Sequence, residues 1–199
     1  MSYIVAFVSA IIVTAIGAFP FGLVNLSVLN ISYRRGAREG MRIAHGASLI
    51  EVLFGFTAVM AGVLLHRLYK ENNYISYILV AILIIVGIFF LLKGNSAKEA
   101  TDHNLPLLVK GMFLNLISVQ VLLYWIIAIA FLHDHSLFNN SAGFILIFLA
   151  GIWAGKMGVL WIFARSGRVI LSKSQILSKN ISRIIGTILI IAGIIQILK

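Results

Sequence analysis

The sequence predicts an all-α integral membrane protein whose six transmembrane helices form two inverted repeats of three helices. Three observations lead to this prediction: the apolar composition, the length of the uncharged segments and an internal repeat. Of the 199 residues, 61% are apolar and only 11% are charged, whereas a soluble domain is roughly 45–50% apolar and about 25% charged. The composition therefore excludes a water-soluble globule, a disordered chain and a nucleic-acid-binding protein. Because the chain has no cysteine, thiol redox chemistry and thiolate metal sites are excluded as well.

Six apolar segments account for the predicted spans. A helix needs about 20 apolar residues to cross the hydrocarbon core of a bilayer. The segments that reach or approach this length are residues 3–33, 43–65, 74–92, 111–132, 141–164 and 184–198. Inside them the only Asp, Glu, Lys or Arg residues are Glu51, in the second span, and Lys156, in the fifth, with His45 near the entrance of the second span.

The basic residues are distributed unevenly among the segments that connect these spans. The chain has 16 Lys and Arg residues against six acidic residues, a net charge of +10. Twelve of the basic residues follow the first, third and fifth spans, and three lie on the other side. Since cytoplasmic loops are enriched in Lys and Arg, we expect the odd-numbered loops in the cytoplasm and both termini outside.

The third and sixth spans resemble each other in sequence. Residues 75–93 and 181–199 are identical at eleven of nineteen positions. The second and fifth spans add a weaker similarity, because each has a glycine followed five residues later by a charged residue, as in Gly46 and Glu51 or Gly151 and Lys156.

A repeat of three spans crosses the membrane an odd number of times, so its second copy is inverted relative to the first. Inverted repeats are typical of secondary transporters, whose substrate site lies near the membrane midplane between the repeats. We therefore expect a single membrane domain over residues 1–199. Repeat one covers about 1–93, repeat two covers about 105–199, and residues 93–106 form a cytoplasmic linker.

The first span contains Pro20 and Gly22, which predict a break in the helix. Proline removes a backbone hydrogen bond and clashes with the preceding turn, and in lipid the freed carbonyl groups need other partners. A half-helix that starts here points its positive dipole end into the membrane, which suits a substrate carboxylate. A plain kink packed by glycines is the alternative.

Glu51 and Lys156 lie deep in their spans. A charged residue at the centre of a membrane helix costs about 2.5–3.5 kcal/mol, and it persists when it faces the protein interior and finds a partner. Since the repeat places the two residues at comparable depths, we expect a buried pair or a shared water-filled cavity. Glu51 then carries a proton, and Lys156 holds a substrate carboxylate or acts as a counter-ion. A purely structural ion pair is the alternative.

Polar residues of the first and fourth spans complete the candidate transport site. Asn25, Asn115 and Gln120 are candidates for hydrogen bonds with a substrate, although helix–helix contact is the commoner use of any one such residue. The His-Asp-His run at 133–135 indicates a polar outer loop rather than a metal site. We expect no metal and no cofactor, and without a nucleophile–base arrangement we do not expect an enzyme.

Residues 20–52 combine a first span containing proline and glycine, a basic Arg-Arg-Gly segment, and a glycine-rich second span with an acidic residue. Together with residues 110–125, 161–172 and 182–193, this arrangement resembles the lysine and homoserine/threonine exporter (LysE/RhtB) family. The resemblance implies a bacterial inner-membrane protein that exports amino acids or related small molecules, driven by the proton gradient. It also implies that Glu51 is the family's acidic residue.

The fourth span departs from that family's pattern. Where the family usually has Asn-Pro-Lys, this chain has Ser118, Val119 and Gln120, while Lys156 appears in the fifth span. The expected function is export of amino acids or related small solutes by proton antiport. The expected partners are a small-molecule substrate, protons and the lipid bilayer, and faces of small residues permit a homodimer. Two alternatives stay open: a cation exporter of the same superfamily and a non-transporting membrane scaffold protein.

Overall fold

A computed structural model describes most of the first, second, fourth and fifth predicted spans. Its described residues are 2–18, 22–71, 88, 105–134 and 136–166, with the backbone alone described along 63–71 and at 119 and 134. They form six α-helices: α1 (Tyr3–Ala18), α2 (Leu23–Arg35), α3 (Ala37–Glu71), α4 (Leu107–Leu116), α5 (Val119–Asp134) and α6 (Ala142–Arg165). The all-α prediction is confirmed for these residues. The third and sixth predicted spans, apart from Ile88, lie outside them, as does Pro20.

Two to four candidate membrane spans lie within the described parts of the predicted ones. Two are single helices, α6 and the Ala37–Gly62 part of α3, each long and apolar enough to cross a bilayer. The other two are bent pairs: α1 with α2 at 82°, and α4 with Gln120–His133 of α5 at 64°. The described residues therefore contain two candidate spans that are single helices, or four if each bent pair counts as one span. Apolar helices of this length agree with a membrane protein.

The outer face of α1 is more apolar than the face it buries. Along the buried face, small side chains recur every four residues: Ala6, Ala10, Thr14 and Ala18. Along the exposed face, large aliphatic side chains have the same spacing: Ile4, Val8, Ile12 and Ile16. Water penalises such an exposed stripe, whereas lipid chains do not, so this arrangement agrees with a helix that faces lipid.

Glycines allow α6 to approach α1 closely. A Cβ atom at Gly151 would lie 2.7 Å from the carbonyl oxygen of Phe7, and one at Gly155 would lie 2.9 Å from the Cβ of Thr14. Because the later glycine contacts the later residue, α1 and α6 run in the same direction. Backbone contact through small residues is typical of helix packing in membranes.

The helices α3 and α4 pack on each other in the same manner. A Cβ atom at Gly46 would overlap the backbone of α4, and one at Gly111 would overlap the carbonyl oxygen of Ile43. One turn further along, the side-chain amide of Asn115 donates a hydrogen bond to the carbonyl oxygen of Ala47 at 2.8 Å. The two helices therefore also run in the same direction.

The connection between α2 and α3 differs from the expected basic loop. Arg34 and Arg35 close α2, and Arg38 and Arg42 lie in the first turns of α3. Gly36 alone separates the two helices, with φ 94° and ψ 155°, a conformation that is readily available only to glycine. The expectation of a loop was wrong because the basic residues lie within the last turn of α2 and the first turns of α3, so the charged segment belongs to the two helices and only Gly36 lies between them.

Two compact units divide the chain. The first comprises Met1–Val63 and Lys98–Ser172, and the second comprises Leu64–Ala97 and Lys173–Lys199. In the first unit, one apolar cluster includes Trp125, Phe144 and Phe148. Another cluster includes large aliphatic side chains of α2, α3, α4 and α6: Leu29, Ile43, Leu114 and Leu160. Every residue of the site described next belongs to this first unit.

Candidate functional site

Glu51 of α3 and Lys156 of α6 form a buried ion pair. The Nζ atom of Lys156 lies 3.0 Å from Oε2 of Glu51, and the two residues are only 4% and 2% exposed. The side chain of Ile152 packs beside Gly55 one turn away, so α3 and α6 run in opposite directions here. The pairing expected from the sequence is present, whereas its expected role in transport stays a prediction.

Two neutral donors complete the environment of the Glu51 carboxylate. The amide Nδ2 of Asn115 donates to Oε2 at 3.0 Å, and the indole Nε1 of Trp125 donates to Oε1 at 3.0 Å. Both donors are fully buried. Helices α4, α5 and α6 thus each send one donor to a single carboxylate on α3. Hydrogen bonds that involve a charged group are the stronger kind, so Glu51 connects four helices.

Trp125 is the site residue that the sequence analysis missed. A signal for it existed, because tryptophan in membrane proteins is enriched at the membrane–water interfaces, and Trp125 stands inside the fourth predicted span. A buried indole N–H generally has a hydrogen-bond partner. The position therefore pointed to a polar group at that depth, and the structure identifies this group as Glu51.

The break in the first span lies where the sequence predicted it. The helix α1 ends at Ala18, and α2 begins at Leu23 with Gly22 as an extended N-cap residue that provides no side-chain hydrogen bond. The side-chain amide of Asn25 donates to the carbonyl oxygen of Ala18 at 2.7 Å. Asn25 thus binds a carbonyl group at the C-terminus of α1, where the helix offers it no partner. A contact of Asn25 with a substrate stays a prediction.

A second break, which the sequence analysis did not predict, interrupts the fourth span. Ile117 and Ser118 separate α4 from α5, and the hydroxyl of Ser118 donates to the carbonyl oxygen of Leu114 at 2.7 Å. This break leaves Asn115 in the last turn of α4 and Trp125 in α5, with both side chains directed at the same carboxylate. Gln120 is half-buried in the first turn of α5, and its side chain makes no hydrogen bond with another described residue.

The first broken span also contacts the site through α5. The hydroxyl of Tyr124 donates to the carbonyl oxygen of Val13, and a Cβ atom at Gly17 would overlap the Tyr124 ring. The rings of Tyr124 and Trp125 meet edge to face, with centroids 5.8 Å apart. The second broken span therefore binds the Glu51 carboxylate directly through Asn115 and Trp125, while the first packs on Tyr124, whose ring contacts that of Trp125.

The end of α5 differs from the expected polar loop. His133 and Asp134 belong to the last turn of the helix, and His135 lies outside the described residues. The loop prediction was wrong for these two positions because the helix continues past the apolar segment. Within the described ranges, no group of three His, Asp or Glu side chains is placed to hold a metal ion.

Comparison with known proteins adds no identity. No protein-family model, curated protein or solved structure matches the chain. What the described residues define is an α-helical protein with two to four candidate membrane spans and a buried ion pair between two of them.

Proposed function

We propose that the chain is a secondary transporter of a bacterial inner membrane, related to the lysine and homoserine/threonine exporters, that exports amino acids or related small solutes in exchange for protons. The buried pair of Glu51 and Lys156 carries this proposal. Charged residues inside membrane spans are costly, and they mark the pathways of substrates and ions. A scaffold helix could use apolar side chains of similar volume here without loss of stability, so the pair favours transport over a structural role.

The ion pair provides a simple rule for exchange. While Glu51 and Lys156 are paired with each other, the site binds neither a substrate nor a proton. An amino acid opens it by placing its carboxylate on Lys156 and its ammonium group on Glu51. A proton opens it by neutralising Glu51. Because the ammonium group needs the charged carboxylate, proton and substrate exclude each other at Glu51, and mutual exclusion at one site is the requirement for antiport.

We expect the helices to move at the two breaks near this ion pair. Both bent spans adjoin the site, and broken helices at a substrate site are characteristic of secondary transporters. The helix directions agree with two inverted halves, since α1 runs parallel to α6, α3 runs parallel to α4, and α3 runs antiparallel to α6. A six-span inverted repeat with both termini outside remains part of the proposal.

A flux assay tests the proposed function. The purified protein is reconstituted in proteoliposomes, a pH gradient is imposed, and efflux is measured for a broad panel of amino acids, with divalent cations as a parallel series. We expect efflux of at least one amino acid that collapses when the gradient is dissipated. Efflux of cations alone would favour the cation exporter, and no flux across the whole panel would favour the scaffold.

The variant Glu51→Gln tests the proton-carrying role. It keeps the size of the side chain and removes the charge, so the pH gradient should no longer drive efflux. The matched control is Glu39→Gln, at an acidic residue in the first turn of the same helix whose contact is an exposed pair with Arg42. Full transport by Glu51→Gln with unchanged pH dependence would refute a proton carried on Glu51.

A further inference from the structure

One polar atom beside the ion pair has no hydrogen-bond partner among the described residues. Asn115 is fully buried, and its Oδ1 atom accepts no hydrogen bond in the described part of the chain. Its Nδ2 atom is fully used, because it donates to Ala47 at 2.8 Å and to Glu51 at 3.0 Å. These two bonds fix which end of the amide is the oxygen.

A buried acceptor without a donor is costly. Leaving such a group unsatisfied costs about 1–3 kcal/mol, and most buried polar side-chain atoms in proteins have a partner. The amide oxygen is joined to Nδ2 through a single carbon atom, so it lies within about 5 Å of Oε2 of Glu51. One nitrogen atom that makes ordinary hydrogen bonds of roughly 2.8 Å can reach both oxygens.

We propose that Asn115 Oδ1 and Glu51 Oε2 together bind the ammonium group of the substrate, and that the site therefore selects small zwitterions with a free amine. This inference rests on the proposed function and names the chemical class that the site accepts. The ammonium group replaces Lys156 at Glu51 and gains the amide oxygen as a second acceptor, while Lys156 takes the carboxylate.

The arrangement also predicts which compounds the site rejects. An N-acetylated amino acid keeps its carboxylate but has lost the ammonium charge. A second cationic group, as in a dibasic amino acid, finds no further buried carboxylate, because Glu51 is the one buried carboxylate among the described side chains. Substrates of no net charge with one free amine therefore bind best.

Binding measurements on the complete protein test this inference independently of flux. The probes are the free amino acids of the flux panel and their N-acetyl derivatives, and the readout is the ligand-induced shift of thermal unfolding in detergent micelles. We expect the N-acetyl derivatives to bind at least about tenfold more weakly, which corresponds to 1.4 kcal/mol. Equal binding of the two sets, or no binding of any amino acid, would overturn the inference.

The variant Asn115→Ser tests whether Asn115 is responsible for the preference for a free amine. Its short hydroxyl group does not reproduce the position of the amide oxygen, so free amino acids should lose about tenfold in affinity while the weak binding of the N-acetyl derivatives stays unchanged. Asn140→Ser, at an exposed asparagine, is the matched control. If Asn115→Ser weakened both sets of probes equally, Asn115 would act through the structure of the site alone.

The two proposals fail in different ways. If no solute moves in the flux assay but free amino acids bind and their N-acetyl derivatives do not, the transport function fails and the zwitterion site stands. If amino acids move down the imposed gradient and the N-acetyl derivatives compete equally well, the transporter stands and the role of Asn115 fails. The wild-type comparison retains this distinction even where a variant fails to fold.

Discussion

Replacing Lys156 with methionine gives the sharpest test of the buried pair. Methionine is unbranched and apolar, so it occupies the same path without the charge. The change leaves the carboxylate of Glu51, which is 2% exposed, without its cationic partner. Removing one member of a buried ion pair typically costs 3–5 kcal/mol. Asn115 still donates to one carboxylate oxygen and Trp125 to the other. We therefore expect the lower end of this range, about 3 kcal/mol.

The double variant separates the interaction energy between the two charges from the effect of removing each charge alone. Glu51→Gln alone should also cost about 3 kcal/mol, because it leaves the ammonium group of Lys156 buried without a counter-charge. Glu51→Gln combined with Lys156→Met removes both charges, so its stability should lie within about 1 kcal/mol of the wild type, since neutral replacements of a buried pair are often tolerated. The coupling energy between the two positions then amounts to several kcal/mol, as measured for other close charge pairs.

Equilibrium unfolding in mixed micelles measures these differences. A denaturing detergent is titrated into the reconstituted wild-type protein, each single variant and the double variant, and the loss of helix is followed by circular dichroism. The double variant should be folded and yet inactive in the flux assay. A double variant as unstable as the sum of its single variants would contradict the pairing, as would a Lys156→Met protein of wild-type stability.

Three further predictions concern positions that the structure explains individually. Gly46→Ala should destabilise the fold by at least about 2 kcal/mol, because the new Cβ atom meets the backbone of α4. Gly158→Ala, where a Cβ atom meets no described atom within 4 Å, should be near neutral in the same unfolding titration. Gly36→Ala should cost about 1–3 kcal/mol from backbone strain alone at φ 94°; its control, Gly22→Ala, has an extended backbone and open space, and an equal loss in both would contradict the strain argument. Trp125→Phe should cost about 1–3 kcal/mol because one buried carboxylate oxygen loses its donor, and an unchanged unfolding midpoint would exclude that contribution.

Features encoded over short stretches of sequence were predictable. The lengths of the apolar segments predicted six spans, and the described residues contain two candidate membrane helices, or four if each bent pair counts as one span. Pro20 and Gly22 indicated a break in the first span, and α1 and α2 are separate helices on either side of it. Helix length, and interruption of a helix by proline or glycine, depend on neighbouring residues, so a single sequence carries this information.

Two features of the site were not predicted, although the pairing of Glu51 with Lys156 between two helices was expected. The break at Ile117 and Ser118 has no proline or glycine to indicate it, and it is supported by the hydrogen bond of Ser118 to the preceding turn. The amide oxygen of Asn115 has no partner among the described residues. The orientation of this amide depends on the positions of Ala47 and Glu51 on α3, because both accept a hydrogen bond from its Nδ2 atom. Sequence patterning cannot reveal such three-way contacts, because they arise only when the helices are packed.

The shared spacing of Gly46 with Glu51 and of Gly151 with Lys156 has the same structural meaning in both helices. Five residues turn an α-helix by about 140° beyond one full revolution, so the glycine and the charged residue leave the helix on different sides. In α3 the glycine contacts α4 while Glu51 extends to Lys156, and in α6 the glycine contacts α1 while Lys156 extends to Glu51. Each of these two helices therefore packs closely on the first helix of a bent span, α3 on α4 and α6 on α1. The charged residues of α3 and α6 pair with each other. The same arrangement in both helices supports the proposal of two related halves, which itself stays a prediction.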